Sequence, residues 1–109
     1  MSDGTESSKR VTDAAPPAPG SALRVVVDGT AIAVFNLDGK LFAVDSKCTH
    51  VGGPLEQGKV SGHTVSCPWH GSVFDLETGK VERGPATRPV VAYHVTVEAN
   101  MLVLQKRTA

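Results

Sequence analysis

Short apolar runs recur along the chain after residue 20, two of them alternating with polar residues, and a period of two is typical of β-strands. The first such run covers residues 23–27, and two further apolar runs cover 31–37 and 41–44. An Asp-Gly pair separates each run from the next. Such pairs favour hairpin turns because they tolerate positive φ. The pattern therefore predicts a β-meander in this half of the chain.

Strand patterns return in the last third of the chain. They cover residues 73–76, 93–97 and 101–104, and the last two are separated by an Ala-Asn pair. No window shows a convincing helical period of 3.6 residues, and no segment repeats. The predicted fold class is all-β, a small antiparallel β-sandwich or barrel.

Two segments depart from this pattern. Residues 1–20 are polar and then Pro-rich, which predicts a disordered or weakly ordered tail with at most a weak edge strand near Val11. The remaining residues, 21–109, form the predicted domain. Within it, residues 46–75 are dense in Gly and Pro and contain one short strand candidate, 63–66. An insert of this kind in a compact domain is usually functional.

Composition narrows the class of function. The chain has 109 residues, enough for one domain, and 11 basic residues balance 11 acidic ones. Zero net charge argues against nucleic-acid and polybasic membrane partners. No apolar stretch reaches 18 residues and no signal-peptide pattern is present, so we expect a reducing, cytoplasmic compartment. In such a compartment, two cysteines more often bind metal or remain free thiols than form a disulfide.

Four candidate metal ligands lie in the insert. They form two pairs, Cys48-x-His50 and Cys67-x-x-His70, with sixteen residues between the pairs. Each pair spans one tight turn, so its two side chains can point into one cavity. The four groups can bind one zinc ion or a two-iron cluster. The one-residue gap in the first pair is tight for a single tetrahedral ion and favours ligands that bind different irons.

Other interpretations of the same residues remain. The cysteines can be buried free thiols or one disulfide, with ordinary turn histidines beside them. The four ligands can also staple an interaction module through zinc. Trp69 can shield a metal centre from water or contact a partner, and we favour the shield.

The segments Cys48–Gly53 and Cys67–Asp75 resemble the Rieske [2Fe–2S] family, and the resemblance extends over roughly residues 21–105. It implies an antiparallel β fold with a two-loop cluster-binding subdomain at about residues 46–75. The Pro-bearing loop Gly84–Pro89 would cover the cluster from a third side. One [2Fe–2S] cluster per chain would be bound by four residues: Cys48 and Cys67 on the buried iron, His50 and His70 on the outer one.

The resemblance is strongest to the soluble Rieske ferredoxins of ring-hydroxylating oxygenase systems. High-potential Rieske proteins have an additional cysteine in each ligand loop, and this chain has neither. Their Ser donor to the cluster is present as Ser72, but their Tyr donor is replaced by Phe74. Without this second hydrogen-bond donor, the reduced cluster is less stabilised. We expect a reduction potential near the lower end of the Rieske range, roughly −150 to +300 mV.

The implied function is that of a soluble one-electron carrier and not an enzyme. The chain would accept electrons from a flavoprotein reductase and pass them to a terminal oxygenase, acting as a monomer. Its balanced charge predicts weak steering and mild salt sensitivity. The alternatives are the Rieske-like small subunit of an NADH-dependent nitrite reductase and a redox sensor.

Overall fold

The computed structural model describes residues 9–49, 52–69 and 71–107. Within them lie ten strands and one short 3₁₀ helix, Leu55–Gln57, and no helix there is long and apolar enough to cross a membrane. In chain order the strands are β1 (Lys9–Val11), β2 (Ala22–Val27), β3 (Thr30–Leu37), β4 (Lys40–Asp45), β5 (Lys59–Ser61), β6 (Thr64–Ser66), β7 (Val73–Asp75), β8 (Val81–Arg83), β9 (Ala92–Glu98) and β10 (Met101–Lys106).

The strands form two antiparallel sheets, which confirms the predicted all-β class. The larger sheet has six strands in the order β1-β10-β9-β4-β3-β2, and the smaller has four in the order β5-β6-β7-β8. The larger sheet curls into a half-barrel, and its two edge strands lie on either side of the opening. Beside that opening Arg10 Nε, on β1, lies 3.1 Å from Asp28 Oδ2, just after β2.

The predicted hairpin turns are confirmed by their backbone angles. Both residues of each two-residue turn have positive φ, as a type I′ turn requires. The angles are 52° and 80° at Asp28 and Gly29, 56° and 93° at Asp38 and Gly39, and 51° and 65° at Ala99 and Asn100. These turns set the register of the β2-β3, β3-β4 and β9-β10 pairs.

The structure differs from the sequence prediction in the smaller sheet. Two strands were not predicted: β5 lies inside the insert, and β8 begins the segment that leads to the Pro-bearing loop. Each has only three residues, which is too short a segment to establish a period of two. Their pairing with β6 and β7 supplies the order that their own sequences do not indicate.

Part of the predicted tail lies against the larger sheet. Strand β1 pairs with β10, and Thr12 donates a backbone hydrogen bond to Leu102, which donates one to Ala14. Residues 1–8 lie outside the described residues.

Two groups of buried side chains form the core. One lies inside the curl of the larger sheet and includes Val34 and Leu104. The other joins the two sheets and includes Phe35, Phe74 and Leu55, none of them more than 1% exposed. Both cysteines belong to this second group. The insert is therefore anchored by the packing between the sheets, which positions its loops at one end of the molecule.

Candidate metal centre

The two cysteine loops share one backbone plan. The Cys48 N–H donates to the Gly53 carbonyl at 2.9 Å, and the Gly52 N–H donates back to the Cys48 carbonyl at 2.8 Å. In the second loop the Cys67 N–H donates to the Ser72 carbonyl at 2.7 Å, and the Gly71 N–H donates back to the Cys67 carbonyl at 3.0 Å. Each cysteine thus pairs with the residues four and five positions later.

A glycine occupies the same place in each loop. Gly52 has φ 76° and Gly71 has φ 77°, in the left-handed region that favours glycine. A side chain at either position would meet no heavy atom within 4 Å, so the backbone angle alone explains the glycine. The sequence motif therefore encodes two matched turns.

A different requirement explains Gly53. A Cβ atom built there would lie 2.8 Å from the Cys67 Sγ and 3.2 Å from two atoms of the Trp69 ring. Only a residue without a side chain fits this close approach, which brings the two loops into contact. Both cysteines are buried and neither forms a disulfide, so the disulfide interpretation is wrong.

A third loop, Gly84–Pro89, closes against both cysteine loops. The Ala86 N–H donates to the Ser72 Oγ at 3.0 Å, and the Thr49 hydroxyl donates to the Arg88 carbonyl at 2.6 Å. The resemblance to the Rieske family implied that this Pro-bearing loop lies beside the two cysteine loops, and these hydrogen bonds place it there. Sequence reasoning missed Thr49 and Ala86, because a hydrogen bond across 39 or 14 residues leaves no local pattern.

The chemistry of this site fits a [2Fe–2S] cluster. Ser72 is fully buried, and its Oγ accepts the Ala86 N–H. No hydrogen bond from its own proton to a described residue is present, and a buried donor of this kind requires an acceptor. A cluster sulfur supplies one, and two neighbouring free thiols supply the ligands that iron prefers.

The Asp75 carboxylate orders the turn between β7 and β8, at the end of this hairpin away from the cysteine loops. The Asp75 carboxylate accepts the backbone N–H groups of Glu77 at 2.8 Å and Thr78 at 2.9 Å, and lies 3.0 Å from the His63 Nδ1. Burial raises the pKa of Asp75, but the hydrogen bonds from Thr78 and Glu77 and the nearby His63 outweigh it, so the pKa lies below its usual value. This contact ties β7, and thereby the second cysteine loop, to the β5-β6 turn.

The structure brings together the two cysteines of the predicted site. His50 and His70 lie outside the described residues, so their ligation stays a prediction. Trp69, for which a shielding role was favoured, is 59% exposed. Its ring contacts the other cysteine loop on one side and faces solvent on the other.

Comparison with known proteins agrees with this geometry. Residues 9–94 match the family model of the Rieske [2Fe-2S] domain. The chain is 36% identical over 87 residues to the ferredoxin component of the naphthalene 1,2-dioxygenase/salicylate 5-hydroxylase systems of a Ralstonia species, covering 80% of this chain and 83% of that one. The Sphingomonas yanoikuyae B1 ferredoxin has a similar structure, with a TM-score of 0.74, 33% identity and 83% and 89% coverage.

A structure of a complex of reduced oxygenase and oxidised ferredoxin in carbazole 1,9a-dioxygenase also contains a similar chain. Its TM-score is 0.75 at 29% identity, covering 84% of this chain and 87% of that one. The chain belongs to the Rieske [2Fe–2S] family, with a [2Fe–2S] cluster as its cofactor, and is a ferredoxin electron carrier, rather than a catalyst, of multicomponent ring-hydroxylating dioxygenase systems.

Proposed function

We propose that Cys48, His50, Cys67 and His70 bind the cluster, with the cysteines on the inner iron and the histidines on the outer one. Three observations support this assignment. The thiols are buried among core residues, the two cysteine loops have matching hydrogen bonds, and the motif places one histidine inside each loop. Residues 46–75 then form the cluster-binding subdomain of a domain that spans 21–109.

The ligand set determines the net charge of the cluster core and thereby its reduction potential. A [2Fe–2S] cluster bound by these four residues would supply reversible one-electron exchange, without cleavage of a substrate bond. Two thiolates and two neutral imidazoles make the oxidised core neutral, whereas four thiolates would make it doubly negative. A less negative core is easier to reduce, which raises the potential above that of plant-type ferredoxins.

Two residues adjust this potential in opposite directions. The Ser72 hydroxyl is buried at the loop junction and can donate to a cluster sulfur, which favours the reduced form. Phe74 is fully buried and has no hydroxyl to donate. With one of two donors present, we expect a midpoint in the lower part of the Rieske range.

The proposed partners are a flavoprotein reductase as electron donor and a terminal oxygenase as acceptor. The support comes from the family and from the carbazole 1,9a-dioxygenase complex, in which a structurally similar ferredoxin is bound to an oxygenase. The exposed Trp69 belongs to the second cysteine loop and contacts the first, at the face where a partner would approach. We further propose that the chain acts as a cytoplasmic monomer with no nucleic-acid or membrane partner.

The observation that carries the ligand assignment is the pair of buried free thiols in matched loops, beside the buried Ser72 hydroxyl, whose oxygen accepts the Ala86 N–H of the third loop. Its test is iron content and reductive titration of histidine variants. His50→Ala and His70→Ala are expected to lose the cluster. His94→Ala, which changes an exposed histidine on β9, is the matched control and is expected to take up one electron per chain. Normal iron content in either of the first two variants would refute the ligand assignment.

A further inference from the structure

We propose that the cluster-binding face carries a basic rim around an apolar anchor, and that it docks an electron acceptor whose own site is bordered by carboxylates. The anchor is Trp69, and the rim is formed by Arg83 and Arg88. The inference rests on the proposed function, because it describes the face through which the chain would meet its oxygenase.

The charge of this face differs from that of the whole chain. The three loops that meet at the site are residues 46–54, 67–72 and 83–89, and their sequences contain three basic residues, Lys47 among them, and no Asp or Glu. The chain as a whole has zero net charge. The nearest acidic residues along the chain, Asp45 and Glu82, directly precede the first and the third of these loops.

The two arginines are exposed and have no acidic partner among the described residues. The ion pairs within 4.0 Å in that part of the chain involve other basic groups, namely Lys9, Arg10 and His63. Both arginines also lie close to the cysteine loops. Arg83 is paired with Val73, the residue after Ser72, and the carbonyl of Arg88 accepts the Thr49 hydroxyl.

The apolar anchor of this face, Trp69, is a large side chain that is exposed to solvent. Trp69 is 59% exposed, and the other large apolar side chains exposed in the described residues are valines on the larger sheet. One side of its ring lies against Gly53, close to the Cys67 sulfur, which holds the ring in place. Trp and Arg are both enriched at interface hot spots, in which an apolar centre is surrounded by a polar rim.

Local charge decides the encounter rate more than net charge does. At 0.1 M ionic strength screening reduces electrostatic interactions beyond roughly 10 Å, so acidic residues on the far side of the molecule contribute little to the field at this face. The prediction of weak steering from zero net charge is therefore replaced by one of attraction to anionic partners. A partner bordered by carboxylates gains both steering and rim contacts.

Small redox ions of opposite charge test the sign of this local field without a protein partner. The reduced protein transfers one electron to ferricyanide, which becomes ferrocyanide, or to hexaamminecobalt(III), which becomes cobalt(II). Stopped-flow rates are measured from 10 to 300 mM NaCl. We expect the ferricyanide rate to fall with salt and the hexaamminecobalt rate to rise. Flat or reversed dependences would overturn the proposal.

Paired double variants locate the charge. Arg83→Gln with Arg88→Gln is expected to slow ferricyanide about tenfold at 10 mM NaCl and to flatten its salt dependence. Lys40→Gln with Lys80→Gln removes the same charge at the opposite ends of two hairpins and is expected to change the rate less than twofold at 100 mM NaCl, where the screening length is roughly 10 Å. Equal effects of the two double variants would refute the assignment to this face. Midpoint potentials, measured for each variant, correct for driving force.

Two acidic pentapeptides, Glu-Glu-Phe-Glu-Glu and Glu-Glu-Gly-Glu-Glu, test the kind of partner by competing with ferricyanide. The arginine double variant is expected to weaken inhibition by both peptides, and Trp69→Ala to weaken only that by the Phe peptide. Peptides that do not inhibit the wild type would overturn the docking proposal. Failure of the proposed function would differ from all these results, because the protein would then take up no electron from dithionite.

Discussion

Replacement of Gly53 by alanine tests how the two cysteine loops are held together. The added Cβ would lie 2.8 Å from the Cys67 Sγ, so the contact must lengthen by at least 0.6 Å to reach the 3.4 Å of an ordinary contact. The Gly53 backbone cannot easily retreat, because its carbonyl accepts the Cys48 N–H at 2.9 Å. A displacement of that size exceeds the roughly 0.2 Å within which metal–ligand distances hold.

The expected magnitude follows from the cost of overpacking a core, about 1–3 kcal/mol. If this cost falls on the cluster-bound state, iron release to a chelator accelerates by a factor of about 5–150. The g values of the reduced protein should also move, since the Cys67 sulfur would be displaced. Release is followed by loss of visible absorption, and the g values by EPR.

Gly52→Ala is the matched control for this experiment. It places a side chain at φ 76°, where strain costs about 1–3 kcal/mol, but the new Cβ meets nothing within 4 Å. Stability should therefore fall while the g values stay those of wild type. The steric reasoning would be refuted by Gly53→Ala protein with wild-type g values and wild-type iron release.

Three further predictions follow from the site. Ser72→Ala is expected to lower the midpoint potential by about 20–65 mV, the value of one hydrogen bond, in a spectroelectrochemical titration; an unchanged potential would show that the hydroxyl does not serve the cluster. His50→Cys or His70→Cys is expected to move the potential toward the roughly −400 mV of all-cysteine clusters, because each adds a negative ligand; a potential at or above wild type would contradict the assignment. The lowered pKa of Asp75 means that its carboxylate stabilises the fold above the pKa of the unfolded chain, about 3.9, and loses this effect as pH falls through the lower folded value. Asp75→Asn should therefore lower stability by about 1 kcal/mol at pH 7 and flatten its dependence on pH below 4, and denaturant titrations of equal midpoint at pH 7 would exclude this role.

The fold could be predicted where the signal was local. Asp28, Asp38 and Asn100 each belong to a two-residue turn whose positive φ values the sequence pattern indicates, and each flanking strand is at least six residues long. Strands β5 and β8 could not, because three residues carry too little periodicity. Their order comes from pairing with β6 and β7 and from packing between the sheets.

In the site, too, features with a local sequence signal could be predicted, and features that depend on distant residues could not. The ligand motif predicts the two cysteine loops and places glycine in each, yet it cannot separate the role of Gly52 from that of Gly53. The first depends on its own backbone angle, but the second depends on Cys67, 14 positions further along the chain. The total charge of the chain could not indicate the basic rim. A balanced total charge carries no information about which residues the fold brings together at one face.

The most direct test of the central claim is an EPR spectrum of the dithionite-reduced protein, purified without added metal. We predict a rhombic signal of low average g, as expected of a [2Fe–2S] centre with both histidine and cysteine ligands, integrating to about one spin per chain. An EPR-silent protein that holds zinc and no iron would contradict the claim. It would return Cys48, His50, Cys67 and His70 to a structural role and remove electron transfer from the account.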